Sequence, residues 1–169
     1  MGTMIILRLV HIGCGVFWAG GVLFLNFIVG PAIAAAGPDG ARVMQELHRR
    51  HYFDKILTVA LLTILSGLEL MRRDSAGFQG AWFHSSFGIG LSTGMLGAII
   101  AFLIGVILIK PATVRMARLG NEMAAAAPEA RPALGAQLAA ARGRLIASGT
   151  VASLFILIAV LAMATARYL

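Results

Sequence analysis

Long runs of apolar residues follow one another along the chain, without the polar–apolar alternation that is typical of β-strands. A helix needs about 20 apolar residues to cross a membrane. The runs predict four such helices: Met4–Ile33, Phe53–Met71, Trp82–Ile109 and Leu145–Ala166. The apolar run of the second, Ile56–Leu68, is short for a span, so this helix includes flanking residues on both sides. The predicted fold class is therefore all-α, an integral membrane four-helix bundle that forms a single domain over residues 1–169.

The polar connections on one side of this bundle are also expected to be helical. Pro38-Asp39 is a typical helix start, since proline fits the first turn and aspartate caps it, and no breaker follows before Lys55. Good helix formers flank the turn residues Pro128 and Pro132. These patterns predict that helix 2 projects from the membrane and that helices 3 and 4 extend into a cytoplasmic hairpin. A segment lying on the membrane surface is the alternative to the hairpin.

Composition and charge narrow the class of protein and give the orientation. Apolar residues make up 59% and charged residues 12% of the chain, which excludes a soluble globular domain. The net charge of +7 comes from basic residues spread along the chain, a pattern that predicts topology rather than nucleic-acid binding. Most of them lie in the connections Pro31–Lys55 and Lys110–Arg144. The positive-inside rule makes both connections cytoplasmic and places both termini outside.

Two histidines are expected at similar depths near the outer face. His11 lies inside helix 1, and His84 lies at the start of helix 3, which runs in the same direction. Each is followed four residues later by a glycine on the same helix face, Gly15 and Gly88. In a haem site an imidazole coordinates the iron, and a glycine one turn away leaves bare backbone where the edge of the macrocycle approaches. The two pairs are therefore the pattern expected for haem b held between helices 1 and 3.

Each of these interpretations has a structural alternative. Glycines also let membrane helices approach closely without any cofactor. Gly90-x-x-x-Gly94 is interpreted in this way, as a face for helix packing. Arg8, one turn above His11, is a candidate partner for a haem propionate. Alternatively Arg8 neutralises Glu69, or its side chain extends to water.

Other chemistry has little support in the sequence. It contains no Ser-His-Asp order, no glycine-rich phosphate loop, no Cys-x-x-Cys pair and no His-Glu-x-x-His motif. His48 and His51 have metal-ligand spacing, but their basic surroundings favour a solvated cytoplasmic face. Cys14 is the sole cysteine and has no partner for an internal disulfide.

The residues around His11 also carry a family resemblance. Leu9-Val10-His11 followed by Trp18-Ala19-Gly20-Gly21 resembles the first helix of the copper-resistance protein D family and of the HemJ-type protoporphyrinogen oxidases. Leu47-His48-Arg49-Arg50 through Gly67-Leu68 is similar to the second HemJ helix, and Trp82-Phe83-His84 to the start of the third. The resemblance covers about half of the chain, roughly Val10–Gly94.

This resemblance implies a four-helix membrane core and a b-type haem. By position, it makes His11 the ligand from the first helix, and His84 falls on the histidine of the third helix. The HemJ pattern has a lysine two residues after that histidine, where this chain has Ser86. The departure counts against protoporphyrinogen oxidation and leaves haem binding in place.

Residues and resemblance together predict a haem protein of the bacterial inner membrane that transfers electrons or acts as a haem-dependent oxidoreductase. The alternatives are a HemJ-type protoporphyrinogen oxidase and a copper-handling or structural membrane protein without redox cofactor. The lack of clustered cysteines near His11 counts against copper, because soft ligands select that metal. The expected partners are membrane lipid and a redox partner or porphyrin substrate, not nucleic acid, and a homo-oligomer is left open.

Overall fold

The computed structural model describes residues 2–169, without the side chain of Pro38, and these residues are almost entirely helical. In chain order the helices are α1 (Gly2–Ala35), α2 (Gly37–Arg49), α3 (Tyr52–Asp74), the single turn α4 (Gly80–Phe83), α5 (Ser86–Ala125) and α6 (Arg131–Tyr168). No strand occurs among the described residues, so the all-α prediction is confirmed.

The four long helices α1, α3, α5 and α6 pack side by side. α1 packs on α3, α3 on α5 and α5 on α6, and contacts between α1 and α6 close the arrangement. Neighbours run antiparallel, as His11 and Gly21 of α1 show by lying against Gly67 and Ile56 of α3. α1 and α5 therefore occupy diagonal positions rather than adjacent ones.

Small side chains fill the interior, and large apolar ones cover the outside. Buried residues of the long helices include Ala60, Ala98, Ala101, Ala152 and Ala159. A Cβ on Gly94 of α5 would lie only 2.5 Å from Met163 Cγ of α6, so the backbones approach closely there. Exposed side chains include Ile5, Phe17, Leu65, Leu96 and Leu161. This distribution is typical of helices that pack within lipid.

Three of these helices, α1, α5 and α6, are long and apolar enough to cross a membrane. In the most apolar stretch of α1 only 6% of the residues are buried, so nearly all of that stretch presents apolar groups to its surroundings. α3 has 23 residues, but charges cluster at both ends, with Asp54 and Lys55 at its start and Glu69, Arg72, Arg73 and Asp74 at its end. It is not among the three.

The segment before α3 differs from the single continuous helix that was predicted. α2 ends at Arg49 and α3 begins at Tyr52, after a connection in which His51 has a left-handed backbone with φ of 55°. No glycine or proline marks this break. Tertiary contact fixes the start of α3 instead, because the Tyr52 hydroxyl donates to the Gly21 carbonyl of α1 at 2.8 Å.

Two π-helical turns widen α1 and α5 just before their prolines. They span Leu25–Val29 and Gly105–Ile109, which precede Pro31 and Pro111 by two residues. In each turn the residue before the proline donates its N–H to the carbonyl five residues earlier, Gly30 to Leu25 and Lys110 to Gly105. Because proline has no N–H to donate, a wider turn lets the helix continue through it.

Beyond their apolar parts α5 and α6 continue as paired helices. α5 runs to Ala125, residues 126–130 form the connection, and α6 starts at Arg131. Leu119 is 1% exposed, and Met123 Cε lies 3.7 Å from the position of a Cβ on Gly135 of α6. The extension is thus a packed hairpin and not a separate helix lying apart.

Candidate functional site

His11 is bonded to the backbone of the neighbouring helix. Its Nδ1 lies 2.8 Å from the Thr63 carbonyl oxygen of α3, and Ser66 Oγ is 3.5 Å from the same nitrogen. A carbonyl only accepts, so Nδ1 carries the proton and donates it. In the neutral imidazole, the other ring nitrogen, Nε2, carries the lone pair. This is the tautomer that a metal-ligating histidine adopts when its second nitrogen is held by a carbonyl.

The local sequence of α3 makes this contact available. Thr63 and Ser66 are buried, and their hydroxyls donate to carbonyls of their own helix, Thr63 to Val59 at 2.8 Å and Ser66 to Leu62 at 2.6 Å. Neither hydroxyl therefore needs the imidazole as an acceptor. The Thr63 carbonyl accepts from the N–H of His11 at 2.8 Å and also lies 3.1 Å from Ser66 Oγ.

Gly67 provides the space for the imidazole ring. A Cβ at this position would lie 2.7 Å from His11 Cε1 and 3.0 Å from Nδ1. The methyl carbon of Met95, a buried residue of α5, lies 3.2 Å from the same position. His11 of α1, Gly67 of α3 and Met95 of α5 thus meet at one level of the bundle.

His84 lies at a different level. It ends the single turn α4 and is exposed, and Ser85 caps α5 by accepting a hydrogen bond from the Gly88 N–H at 3.0 Å. Met95, the α5 residue level with His11, is nine residues beyond Ser86, or about 14 Å along the helix. The structure therefore does not bring His84 to the depth of His11, and its role as a haem ligand stays a prediction.

The two glycines predicted to border a macrocycle have other neighbours. Gly15 lies against α3, with Thr63 Cγ2 at 3.5 Å from its Cβ position. Gly88 faces the Trp82 carbonyl at such close range that a Cβ would collide with it, so glycine is needed where the connection enters α5. Gly88 is explained by this close backbone contact, whereas a Cβ at Gly15 would be in ordinary van der Waals contact. The part of both glycines in cofactor binding stays a prediction.

Arg8 does not pair with Glu69. The Glu69 carboxylate accepts hydrogen bonds from Arg72 Nε at 2.7 Å and from Arg73 Nε at 2.6 Å, both on its own helix. Arg8 is exposed and forms no ion pair within residues 2–169. Its guanidinium therefore has no acidic partner there, one turn from His11.

His51, at the other end of the bundle, is engaged in a surface contact. His51 Nδ1 lies 3.4 Å from Asp54, which also pairs with Lys110 of α5 at 3.0 Å. In the described part of the chain, no group of three or more His, Cys, Asp or Glu side chains is arranged to hold a metal ion.

Sequence reasoning missed the partners of His11 on the other helices. Thr63 and Gly67 entered only as part of a family resemblance, and Met95 did not enter at all. The pair Ser66-Gly67 is the signal that was available, since small residues in an apolar helix mark places where another helix or a ring comes close.

Comparison of the chain with models of protein families, with curated proteins and with solved structures found no match. The resemblance to the copper-resistance protein D family and to the HemJ type therefore stays a prediction from the residues quoted above.

Proposed function

We propose that the chain is a multi-pass protein of the bacterial inner membrane that binds haem b near the outer ends of its helices. In this proposal His11 supplies an axial ligand, and the haem serves cytochrome-like electron transfer or a haem-dependent oxidoreduction. The observation that carries the proposal is the 2.8 Å bond from His11 Nδ1 to the Thr63 carbonyl. In the neutral imidazole this bond leaves Nε2 with a lone pair for iron.

The proposal treats α3 as the fourth membrane span. α3 lies along α1 from the contact of Tyr52 with Gly21 to the contact of Gly67 with His11. A bilayer that encloses α1 over this length also encloses α3, whose charges then lie at the two surfaces. With the basic connections inside, both termini are outside and His11 is in the outer half.

Three features near His11 suit a haem ligand. The imidazole is held by a backbone carbonyl, which fixes its tautomer and its orientation. Gly67 leaves room for the ring. Arg8 has no acidic partner in residues 2–169 and is available to a propionate. Bound haem supplies a one-electron redox couple, and the chain orients the ligand and keeps water away.

Copper handling is the second candidate, and Met95 is the observation that favours it. Its methyl carbon and the His11 ring both lie within 3.2 Å of the Cβ position of Gly67. A thioether and an imidazole are ligands that suit copper(I). HemJ-type oxidation of protoporphyrinogen is an alternative function for the haem site. Ser86 counts against it, because the HemJ pattern has a lysine at this position.

The test is an absorption spectrum of His11→Ala, purified from cells with an intact haem supply beside the wild-type protein. We expect His11→Ala to lose the haem or to retain it only as high-spin, five-coordinate iron. His48→Ala is the matched control at the other end of the bundle and leaves the spectrum unchanged.

Two further variants assign the remaining axial position. A low-spin spectrum that survives His84→Ala removes His84 as a ligand. Loss of the low-spin spectrum in Met95→Ala, with the Soret band kept, assigns the position to Met95. A full, unaltered haem complement in His11→Ala contradicts the proposal.

A further inference from the structure

We propose that a groove on the outer side of α5 binds the headgroup of an anionic phospholipid in the cytoplasmic leaflet. The groove is an open surface formed by α5 alone, with a volume of about 520 Å³, and is lined by Val106, Lys110, Pro111, Val114, Arg115 and Arg118. The proposal is independent of haem binding and rests only on the placement of these residues in the bilayer.

The groove changes in chemistry along the helix axis. Val106 is at its membrane end, in the second π-helical turn, and is 39% exposed. Lys110 follows one turn later, where the apolar part of α5 ends, and Arg115 and Arg118 follow on the hairpin. From Val106 to Arg118 the helix rises about 18 Å. The apolar end of the groove, in the hydrocarbon, matches the acyl chains of a phospholipid, and the basic end beyond it matches the phosphate.

The charges around the groove leave it basic. Lys110 pairs with Asp54 at 3.0 Å, and Arg118 pairs with Glu122 at 3.4 Å; the four side chains are 46–68% exposed. Arg115 is exposed and has no acidic partner within residues 2–169. Basic residues next to the cytoplasmic end of a membrane helix are attracted to anionic headgroups. Arg115 is therefore the residue expected to contact the phosphate first.

Native mass spectrometry of the purified protein with added POPG or POPC tests the proposal. Wild type is expected to retain POPG in preference to POPC. Arg115→Gln with Arg118→Gln should weaken POPG binding about thirtyfold, because each basic residue near an anionic leaflet contributes a factor of about five. Arg115→Lys with Arg118→Lys keeps the charge and should restore the preference.

Arg142→Gln with Arg144→Gln is the matched control, since it removes two charges from α6 on the same side of the membrane. Equal retention of POPG and POPC by wild type would overturn the proposal. An equal loss in the α6 control would also overturn it, because binding would then follow net charge and not the groove. Displacement of POPG by millimolar inorganic phosphate would show an anion site without lipid and would overturn it as well.

Discussion

Gly67→Ala places a methyl group where the ring of His11 now lies. The new Cβ would be 2.7 Å from His11 Cε1, whereas carbon atoms in contact are normally about 3.5–4.0 Å apart. The ring must therefore move by about 1 Å, and the Met95 methyl carbon, 3.2 Å from the same Cβ, must also give way. A shift of that size lengthens or tilts the 2.8 Å bond to the Thr63 carbonyl until it no longer holds.

The expected free-energy change follows from three effects. Overpacking costs about 1–3 kcal/mol, and the lost hydrogen bond costs about 1 kcal/mol. Alanine regains about 0.5–1 kcal/mol over glycine within a helix. The net destabilisation is about 1–3 kcal/mol. Gly13→Ala is the matched control on α1, since nothing lies within 4 Å of its Cβ position.

The assay is unfolding of the detergent-solubilised protein by SDS, followed by circular dichroism. Gly67→Ala should unfold at a lower SDS fraction than wild type, and Gly13→Ala at an equal or higher one. If haem is bound, Gly67→Ala should also weaken its retention about 10–100-fold, the usual effect of disturbing the group that orients a metal-ligating histidine. A Gly67→Ala protein as stable as Gly13→Ala would refute the packing of His11 against α3.

Three other outcomes follow from the structure. Gly94→Ala should destabilise the contact of α5 with α6 by about 1–3 kcal/mol in the same assay, while Gly120→Ala, with open space around it, should not; equal stabilities would contradict the close contact. The hydrogen bond from Arg50 holds the pKa of the Glu46 carboxyl below its ordinary 4.5, so its stabilisation of α2 is present above pH 4.5 and is lost as pH falls through the lower folded pKa. Arg50→Gln should raise this pKa toward 4.5 in a carboxyl NMR titration, and an unchanged titration would contradict the pairing. A reporter fused after Leu169 should read as external, and cytoplasmic activity would reverse the orientation.

The helices themselves could be predicted because the apolar runs are long and uninterrupted. Leu145–Ala166 falls within α6, and Pro128 lies in the connection of the hairpin. Sequence periodicity is a local property, and these features are local. Trp82–Ile109 was predicted as one helix, but the helix breaks at His84 and Ser85, and α5 begins only at Ser86. The break at His51 and the two π-helical turns were not predicted, because they depend on contacts between helices and on how a helix accommodates proline.

The candidate site was predicted only on one helix. His11 stands out because an ionisable group in an apolar helix is costly. Thr63, Gly67 and Met95 do not stand out, since their importance comes from packing partners far away in the chain. The expectation that a haem lies between helices 1 and 3 was drawn from their parallel directions, the similar depths of His11 and His84, the glycine that follows each and the family resemblance. In the structure α1 and α5 each pack instead on α3 and α6.

The central claim, that His11 holds a haem iron, is tested most directly by the reduced-minus-oxidised absorption spectrum of the wild-type protein. The protein should be purified in mild detergent from cells with an intact haem supply, so that lack of haem in the cells cannot explain an empty site. We predict a Soret band and a reduced α-band of a b-type haem, both lost in His11→Ala and both kept in His48→Ala. A wild-type protein that is folded and shows no Soret band would contradict the claim and favour a protein without haem.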